Sequence, residues 1–241
     1  MSFATIQTAT ANDDEPSLAA PLSQLPAGQW RVHWQRDGAL FASRKLNGMK
    51  QREYFARLQL PVPAEAMLSL LLDTEQVESW VHHARHAKVL HQLGLDHYIV
   101  YSQYSPPWPI RNRDLVTESR HWQTNKGIWL LAQARPRMRS KHSGYLRVQQ
   151  MQSCWYGKRL GEQRSELTYL GHIQDPGVLP SFIINPAQAQ VLEKTLENLT
   201  ETIIGYGKAP AASWQFPTPK VTGYCQRLQT VISNRELNGH H

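Results

Sequence analysis

Hydrophobic positions alternate with polar ones in several short segments of the chain, and this period of two predicts β-strands. The first two segments flank the pair Asp37-Gly38, which favours a tight turn between adjacent antiparallel strands. A third strand is expected at residues 54–60, where Pro61 ends it. The alternation returns at Lys88, and the strands predicted beyond it are 97–104, 115–122, 128–134, 145–151 and 165–173. The predicted turns between them include 125–127 and 158–161.

Two other segments carry apolar residues at helical spacing. The earlier one lies between residues 63 and 81, and its apolar positions are Ala66, Leu68, Leu71, Leu72, Val77, Trp80 and Val81. The later one is predicted to begin at Asn185-Pro186, because Asn caps helix N-termini and Pro suits the first helical position. Its apolar stripe and its glycine stop consist of Leu192, Leu196, Leu199, Ile203, Gly205 and Gly207.

This order of elements predicts an α+β fold in which a curved antiparallel sheet wraps around a long helix near the C-terminus. A hydrophobic cavity is expected wherever the concave face of the sheet and the helix do not meet. Residues 1–21 are polar and acidic, which favours disorder. Residues 208–241 are predicted to form a Pro-rich tether and then an amphipathic helix whose apolar side carries Val221, Tyr224, Leu228 and Val231.

The composition is that of a globular chain, with 41% hydrophobic and 19% charged residues. No apolar run is long enough to span a bilayer. Residues 1–15 lack the basic start and apolar middle of a secretory signal, so a cytoplasmic location is expected, with export as the alternative if a signal peptide precedes this numbering. Cys154 and Cys225 are too few for a disulfide framework, and the sequence leaves open whether they pair.

A formal net charge of +7 favours anionic partners, but a solvated basic surface explains it equally well. Four basic residues are spaced by two, so an extended chain would project Arg135, Arg137, Arg139 and Lys141 to one side. Such a row suits the anionic headgroups of a membrane or, alternatively, a strand edge that discourages pairing. It lacks interleaved aromatic residues for base stacking, so no nucleic-acid partner is expected.

A stiff loop places a large apolar ring beside concentrated charge. Residues 104–114 are YSPPWPIRNRD, in which Trp108 lies between Pro107 and Pro109. Prolines exclude this segment from a helix or a central strand. Trp108 therefore either lies exposed for a lipid interface, where indole rings are favoured, or folds back into the core. We favour the exposed arrangement.

Two stretches together resemble the hallmark sequences of the START (StAR-related lipid-transfer) domain family. They are Trp108-Pro109 followed by Arg113-Asp114, and Asp175-Pro176-Gly177 leading through residues 179–182 to Asn185. The resemblance covers residues 22–207 and implies a helix-grip fold whose hydrophobic tunnel holds one lipid-like molecule. It also implies that the Trp108 loop and the loop entering the last helix form the mouth, so Trp108, Val178 and Leu179 are expected at a membrane-contacting lip.

The resemblance also selects a tunnel-facing set of side chains, since alternate residues of a strand share a face. The expected ligand-binding residues are Tyr98, Val100, Ser102, Tyr104, Arg113, Leu115, Thr117, Leu170, Phe182, Leu196 and Leu199. The ceramide carrier's amide-binding glutamine falls at Ser102, and the sterol carriers' acid and arginine fall near Val100 and Ser119, so neither recognition pattern carries over. Each residue of the set has ordinary core packing as its alternative. Arg113 and Asp114 are expected to form a local structural ion pair.

The expected function is non-enzymatic binding of a single lipid or similar hydrophobic molecule, with intermembrane transfer or sensing and peripheral contact with a membrane surface. One alternative is a helix-grip enzyme of the polyketide cyclase/aromatase type, which would need acid and base groups in the tunnel. Another is a nucleic-acid or protein-binding domain that uses the basic row. No catalytic residue and no cofactor are expected.

A histidine group offers one candidate metal site. His82 and His86 are spaced as metal ligands on a helix, with His83 between them. No carboxylate or cysteine stands nearby in the sequence, and Arg85 and Lys88 would repel a cation. Solvated histidines are therefore the preferred interpretation, and no metal is expected.

Overall fold

The computed structural model describes residues 29–36, 38–174, 177, 179–206, 221 and 223–238. The strands are β1 (Arg31–Arg36), β2 (Ala39–Lys45), β3 (Arg52–Leu60), β4 (Ala84–Gln92), β5 (His97–Tyr104), β6 (Arg113–Thr124), β7 (Gly127–Ala134), β8 (Leu146–Arg147), β9 (Gln150–Gly161) and β10 (Arg164–Gln174). The helices are α1 (Ala64–Leu72), α2 (Val77–Trp80), α3 (Ser181–Gly205) and α4 (Tyr224–Asn238), with a 3-10 turn at Thr74–Gln76.

Ten strands form one open, curved sheet whose order is β1-β2-β3-β10-β9-β7-β6-β5-β4, while β8 pairs with β6 off this path. Neighbours along the path are antiparallel. Gly38 has φ 73°, a conformation that glycine adopts without strain in the tight turn predicted between β1 and β2. The predicted α+β architecture, a curved antiparallel sheet with a long helix near its C-terminus, is confirmed.

One end of the space between the concave face of the sheet and the helices is closely packed. Its buried members include Phe41, Leu58, Met67, Leu196 and Leu199. Helix α1 approaches β9 closely at Gly157, where a side chain would place its Cβ only 2.5 Å from the Met67 Cε. This packing fixes α1 over the middle of the sheet, and the cavity described below lies beside it.

The convex face carries a second hydrophobic cluster, which lies under α4. Tyr224, Cys225 and Leu228 of this helix are buried there, and the sheet residues in the cluster include Leu40, Phe55, Trp129 and Leu170. Cys154 of β9 and Cys225 form a disulfide with their Cα atoms 5.3 Å apart, which answers the question of pairing that the sequence left open. The segment for which an amphipathic helix was predicted therefore contributes a layer of its own.

The predicted start of the long helix is wrong. Helix α3 begins at Ser181, and Pro186 lies inside it. Proline removes only the amide that would bond the carbonyl of Phe182, an exposed residue in the first turn, so the loss falls where water replaces it. Asn185 does not cap the helix; its carbonyl accepts a hydrogen bond from the Tyr54 hydroxyl at 3.0 Å.

Two strand boundaries also differ from prediction. The segment 145–151 is divided between the short β8 and the start of β9, and β9 continues through the predicted turn at 158–161. The glycines of this segment disfavour a strand, but β9 pairs with β7 on one side and with β10 on the other, and this pairing extends it. The early helix is interrupted at Asp73, which separates α1 from the 3-10 turn and α2.

The N-terminal segment 1–21 and the Pro-rich tether, for which disorder and a linker were predicted, lie outside the described residues. Within the described ranges, no helix has both the length and the apolar character needed to cross a membrane.

Candidate ligand-binding cavity

A cavity with two lobes lies between the concave face of the sheet and the helices. The larger lobe has a volume of about 550 Å³ and the smaller one about 250 Å³. Both are lined by Val81, Tyr104, Leu115, Met151, Tyr169 and Thr195. Because the lobes share these lining residues, they adjoin each other.

Strands β5 and β6 supply much of the floor of the larger lobe. Their alternating β-branched, aromatic and small polar residues favour strand structure and send every second side chain inward. Val100 pairs with Thr117 and Ser102 pairs with Leu115 across the two strands. Six residues of the predicted set line the larger lobe: Tyr98, Val100, Ser102, Tyr104, Leu115 and Thr117. The residues from β7 and β9 that complete the floor include Ala132, Ser153 and Trp155.

The smaller lobe lies between the loop after β5 and the first turns of α3. Arg113 lines it, as do Pro106 and Ile110 from the loop and Ile184 and Val191 from the helix. Arg113 donates a hydrogen bond to the carbonyl of Arg111, within the same loop. The loop and the helix start that were predicted to form the mouth therefore border the same lobe.

The structure describes two of the three residues that were predicted for the membrane-contacting lip. Trp108 projects from the loop with 92% of its surface exposed. Leu179 is half-buried. Val178 lies outside the described residues.

Leu170 is not a cavity residue, contrary to prediction. It is fully buried on the convex face, in the cluster that contains the disulfide and α4. Side chains of a strand alternate between faces, and on β10 the neighbouring Tyr169 points into the cavity instead. A one-residue error in the assumed phase of this strand explains the wrong expectation.

Phe182, Leu196 and Leu199 are also absent from the described cavity lining. Phe182 is 76% exposed on the first turn of α3. Leu196 and Leu199 are fully buried in the closely packed core. The residues of α3 that line the cavity are Ile184, Ala187, Gln188, Val191, Leu192 and Thr195, which lie nearer its N-terminus.

Asp114 forms a buried ion pair, but its partner is not Arg113. The carboxylate accepts from Arg147 Nε at 2.9 Å and Nη2 at 2.7 Å. The same guanidinium donates to the carbonyls of Pro136, Arg139 and Ser140 at 2.7, 2.8 and 3.0 Å. Both side chains are buried, so the pair holds the loop after β7 against β6. The expectation of a local pair within residues 113–114 is wrong.

The loop after β7 contains the four basic residues that were predicted to form a row, and it does not have the extended shape that such a row requires. Residues 135–139 turn rather than extend, with the amide of Met138 donating to the carbonyl of Arg135 at 3.1 Å. Arg135 pairs with Glu118 at 2.6 Å, and the Arg139 guanidinium lies 4.1 Å from the centre of the Tyr101 ring. The basic side chains therefore do not project together to one side of an extended segment.

The ionisable groups of the larger lobe are few. Among the described residues that line it, Asp73 is the one carboxylate, and Lys, Arg and His are absent. Asp73 Oδ2 accepts a hydrogen bond from the Tyr206 hydroxyl at 3.0 Å. Burial raises the pKa of Tyr104 and of Tyr169, so both phenols are neutral at physiological pH.

Three hydroxyl side chains on the floor of the larger lobe, those of Thr117, Ser119 and Ser153, make no hydrogen bond with any described residue. Thr117 is 8% and Ser153 is 3% exposed. A buried hydroxyl ordinarily has a partner. Sequence reasoning missed Ser119 and Ser153, although the strand alternation that selected Thr117 also places Ser119 on the same face.

The histidines considered as metal ligands are separated by the fold. His82 and His83 lie next to α2 with their rings 3.8 Å apart, and both line the smaller lobe, while His86 lies on β4. The described part of the chain contains no group of three or more His, Cys, Asp or Glu side chains arranged to hold a metal ion.

The START domain model matches residues 54–203. An uncharacterized protein of Pseudomonas aeruginosa is 25% identical over 174 residues, which cover 72% of this chain and 86% of that protein. A crystal structure of a STAR-related lipid transfer protein fragment from Xanthomonas axonopodis aligns with a TM-score of 0.66 at 21% identity, covering 73% of this chain and 98% of the fragment. Human STARD10 aligns with a TM-score of 0.66 at 18% identity, covering 73% and 74%.

At identities this low the two structures establish the fold alone, and they share the helix-grip arrangement described above. The resemblance inferred from the two hallmark stretches is confirmed by the family model, which spans more than half of the chain. This protein belongs to the START domain family.

Proposed function

We propose that this protein binds one lipid or similar hydrophobic molecule in the two-lobed cavity and exchanges it at a membrane surface. The observation that carries the proposal is the cavity itself, an apolar space with a few hydroxyl groups in a fold of this family. Pockets of this size and character hold small organic ligands. At about 30 Å³ for each water-sized group, the larger lobe alone has room for about eighteen non-hydrogen atoms.

Membrane exchange is supported by the surroundings of the smaller lobe. Trp108 and Phe182 are both exposed, and each lies within two residues of a side chain that lines this lobe, Ile110 and Ile184 respectively. Indole rings are favoured at the membrane interface. Prolines on both sides of Trp108 stiffen the loop, so less conformational entropy is lost when it inserts. A molecule leaving the smaller lobe would thus pass directly into the lipid phase.

The proposal assigns this protein the role of a carrier or sensor without a catalytic step. General acid–base catalysis needs positioned proton donors and acceptors with suitable pKa values. In the described lining of the larger lobe, the carboxylate of Asp73 is already bonded by Tyr206, and burial raises the pKa of Tyr104 and of Tyr169, so both keep their protons. These features suit a larger lobe that holds its part of the ligand unchanged.

Filling the cavity tests the proposal. Ala132 lies on β7 with its side chain facing the larger lobe, so Ala132→Trp places an indole in the ligand's space. We expect this variant to lose binding of a fluorescent long-chain lipid by at least about tenfold, while circular dichroism and the thermal midpoint stay close to those of the wild type.

The matched control is Gln133→Trp, which adds the same side chain to the neighbouring position on the opposite face of β7. It should leave lipid binding unchanged. Full binding by a folded Ala132→Trp protein would contradict the proposed site.

A further inference from the structure

The floor of the larger lobe combines unpaired hydroxyl groups with an absence of charge, and this combination restricts the ligand. Ser119 pairs with Ala132, and Ala132 pairs with Ser153, so the three residues form a row across β6, β7 and β9. Thr117 lies one inward position along β6 from Ser119. All of these side chains face the cavity.

These hydroxyls open into the cavity and have no protein partner, so a polar group of a ligand could reach them. Ser153 is 3% exposed and Thr117 is 8% exposed, yet neither makes a hydrogen bond with a described residue. A serine or threonine hydroxyl can donate one hydrogen bond and accept two. A ligand oxygen placed over this row would bond hydroxyls that open into the cavity and have no protein partner.

The same lobe is unsuited to a formal charge. Its described lining offers no Lys, Arg or His to pair with an anion, and its carboxylate, Asp73, is bonded by the Tyr206 hydroxyl and by the amide of Glu75. An ionised group moved from water into such a space loses its hydration without gaining a counter-charge. An uncharged hydroxyl or carbonyl loses much less.

We propose that the larger lobe selects an uncharged lipid bearing a hydroxyl or carbonyl oxygen, and that Ser153, assisted by Thr117 and Ser119, determines this specificity. This inference rests on the proposed function, because it concerns the ligand of the same cavity. The apolar body of the lipid then contacts the remaining wall, which includes Val100, Leu115 and Trp155.

The test compares four probes of equal chain length: a long-chain alcohol, the corresponding hydrocarbon, the carboxylate and the amine. We expect the alcohol to displace a bound fluorescent lipid at a concentration about tenfold lower than either ionised probe at neutral pH. Ser153→Ala should raise the concentration of alcohol required about fivefold to tenfold and leave that of the hydrocarbon unchanged. Ser153→Thr, which keeps the hydroxyl, should restore binding of the alcohol.

Ser165→Ala is the matched control, because the Ser165 hydroxyl, like that of Ser153, has no hydrogen-bond partner in the described residues but lies away from the cavity. It should change neither affinity. Equal binding of all four probes, tightest binding of the carboxylate or amine, or an equal effect of Ser153→Ala on alcohol and hydrocarbon would overturn this inference and leave the proposed cavity function standing. Failure of every probe to bind would overturn both.

A second, independent observation concerns the helix on the convex face. Glu53 of β3 is fully buried there and accepts hydrogen bonds from the Tyr224 hydroxyl at 2.6 Å, Arg227 at 3.1 Å and Arg44 at 2.6 Å. The disulfide partners Cys154 and Cys225 lie beside this group and are themselves fully buried. The hydrogen bonds of Glu53 and the disulfide therefore both hold α4 against the sheet.

We infer that the disulfide is a permanent part of the folded protein and that the chain matures in an oxidising compartment, which favours the exported alternative over the cytoplasmic expectation. Structural disulfides form and persist in such compartments and are rare where thiols are kept reduced. Burial on both sides of the bond also keeps thiol reductants from reaching it.

The test is a gel-shift assay in the cells that naturally produce the protein, quenched with acid and treated with a polyethylene-glycol maleimide after denaturation. We expect full-length protein to remain unshifted unless a reductant is added first, and to shift by two adducts after reduction. A shift by two adducts without reductant, showing free thiols in the cell, would overturn the inference. Cys225→Ser, which should shift by one adduct under both conditions, calibrates the assay.

Discussion

Trp108 has the highest exposed fraction among the large hydrophobic side chains of the described residues. An exposed indole on a stiff loop is unfavourable for a protein that stays in water, since such surfaces promote association. Its position beside the smaller lobe fits the proposed membrane contact, because the same ring is stabilised at a lipid interface. The exposure of Trp108 therefore agrees with the proposed membrane contact.

We expect Trp108→Ala to weaken binding to phospholipid vesicles by about tenfold, which corresponds to about 1.4 kcal/mol of lost interfacial burial. Vesicle co-sedimentation measures this affinity, and we expect the rate of lipid transfer between vesicles to fall as the affinity falls. Leu160→Ala is the control, because Leu160 is also exposed but lies near the far end of β9. Unchanged vesicle binding by Trp108→Ala would remove this residue from the proposed mouth.

His121 links stability to pH. Burial lowers its pKa to about 4 in the folded protein, compared with 6.5 in an exposed histidine. Between these values the unfolded chain takes up a proton that the folded chain does not, so stability falls as the pH falls through this window and is fully present above it.

Urea unfolding at pH 7 and pH 5 checks this effect. The wild type should lose about 2 kcal/mol more than His121→Phe over this interval, because phenylalanine keeps a ring against Tyr98 but has no proton to take up. Identical losses in the two proteins would show that His121 is not the group responsible.

The sequence predicts which side chains face the cavity wherever polar and apolar residues alternate clearly along a strand. On β5 and β6 the choice of one inward residue fixed all the others, since side chains alternate strictly. Leu170 and Tyr169 on β10 are both hydrophobic neighbours, so their local sequence favours neither face, and the wrong one was chosen. Asp114 shows a different limit, since its partner Arg147 is distant in the sequence and no local pattern indicates the pair.

At the scale of elements, α3 has two different roles along its length. Its first half borders the cavity through Val191 and Leu192, and its second half packs closely through Leu196, Leu199 and Ile203. The apolar stripe predicted from the sequence, Leu192, Leu196, Leu199 and Ile203, places the cavity-lining Leu192 on the same face as the packed residues after it. The stripe cannot indicate where packing stops, because a cavity is set by what the facing sheet and α1 fail to fill.

Paired substitutions in α3 test this division. Leu196→Ala should destabilise the protein by about 2–5 kcal/mol, since it opens a void in a closely packed core. Leu192→Ala should destabilise it less and change the affinity for a lipid probe more, because Leu192 already faces open space. Chemical unfolding gives the free energy of unfolding of each variant, and titration with a lipid probe gives its affinity. If Leu196→Ala and Leu192→Ala change the stability equally and the affinity equally, the division of α3 into a cavity-lining half and a packed half is wrong.

The start of α3 illustrates how element boundaries escape local rules. Asn185-Pro186 is a favourable helix start by local preference, but the helix begins earlier, and Asn185 bonds to Tyr54 of β3 instead. Contact with the sheet therefore outweighs the capping preference. The disulfide and the docking of α4 depend likewise on a surface formed by several strands, so the sequence could indicate an amphipathic helix but not where it packs.

At the scale of the whole molecule, the sheet has a different task on each side. Its concave face encloses the cavity, and its convex face is covered by α4, so β9 separates Ser153 and Trp155 on the ligand side from Cys154 on the disulfide side. The pairing of β1 with β2 followed from the sequence, because a tight turn joins these two strands. The pairing of β3 with β10 did not, because the two strands are far apart in the sequence. The volume of the cavity did not follow, because it depends on the curvature of the complete sheet.

Native mass spectrometry of the full-length protein, purified without detergent and then incubated with mixed lipid vesicles, tests the central claim most directly. The account predicts one lipid-sized adduct per chain, present in the wild type and in Gln133→Trp and lost in a folded Ala132→Trp variant. A wild-type protein that carries no adduct on purification and acquires none from vesicles would contradict it.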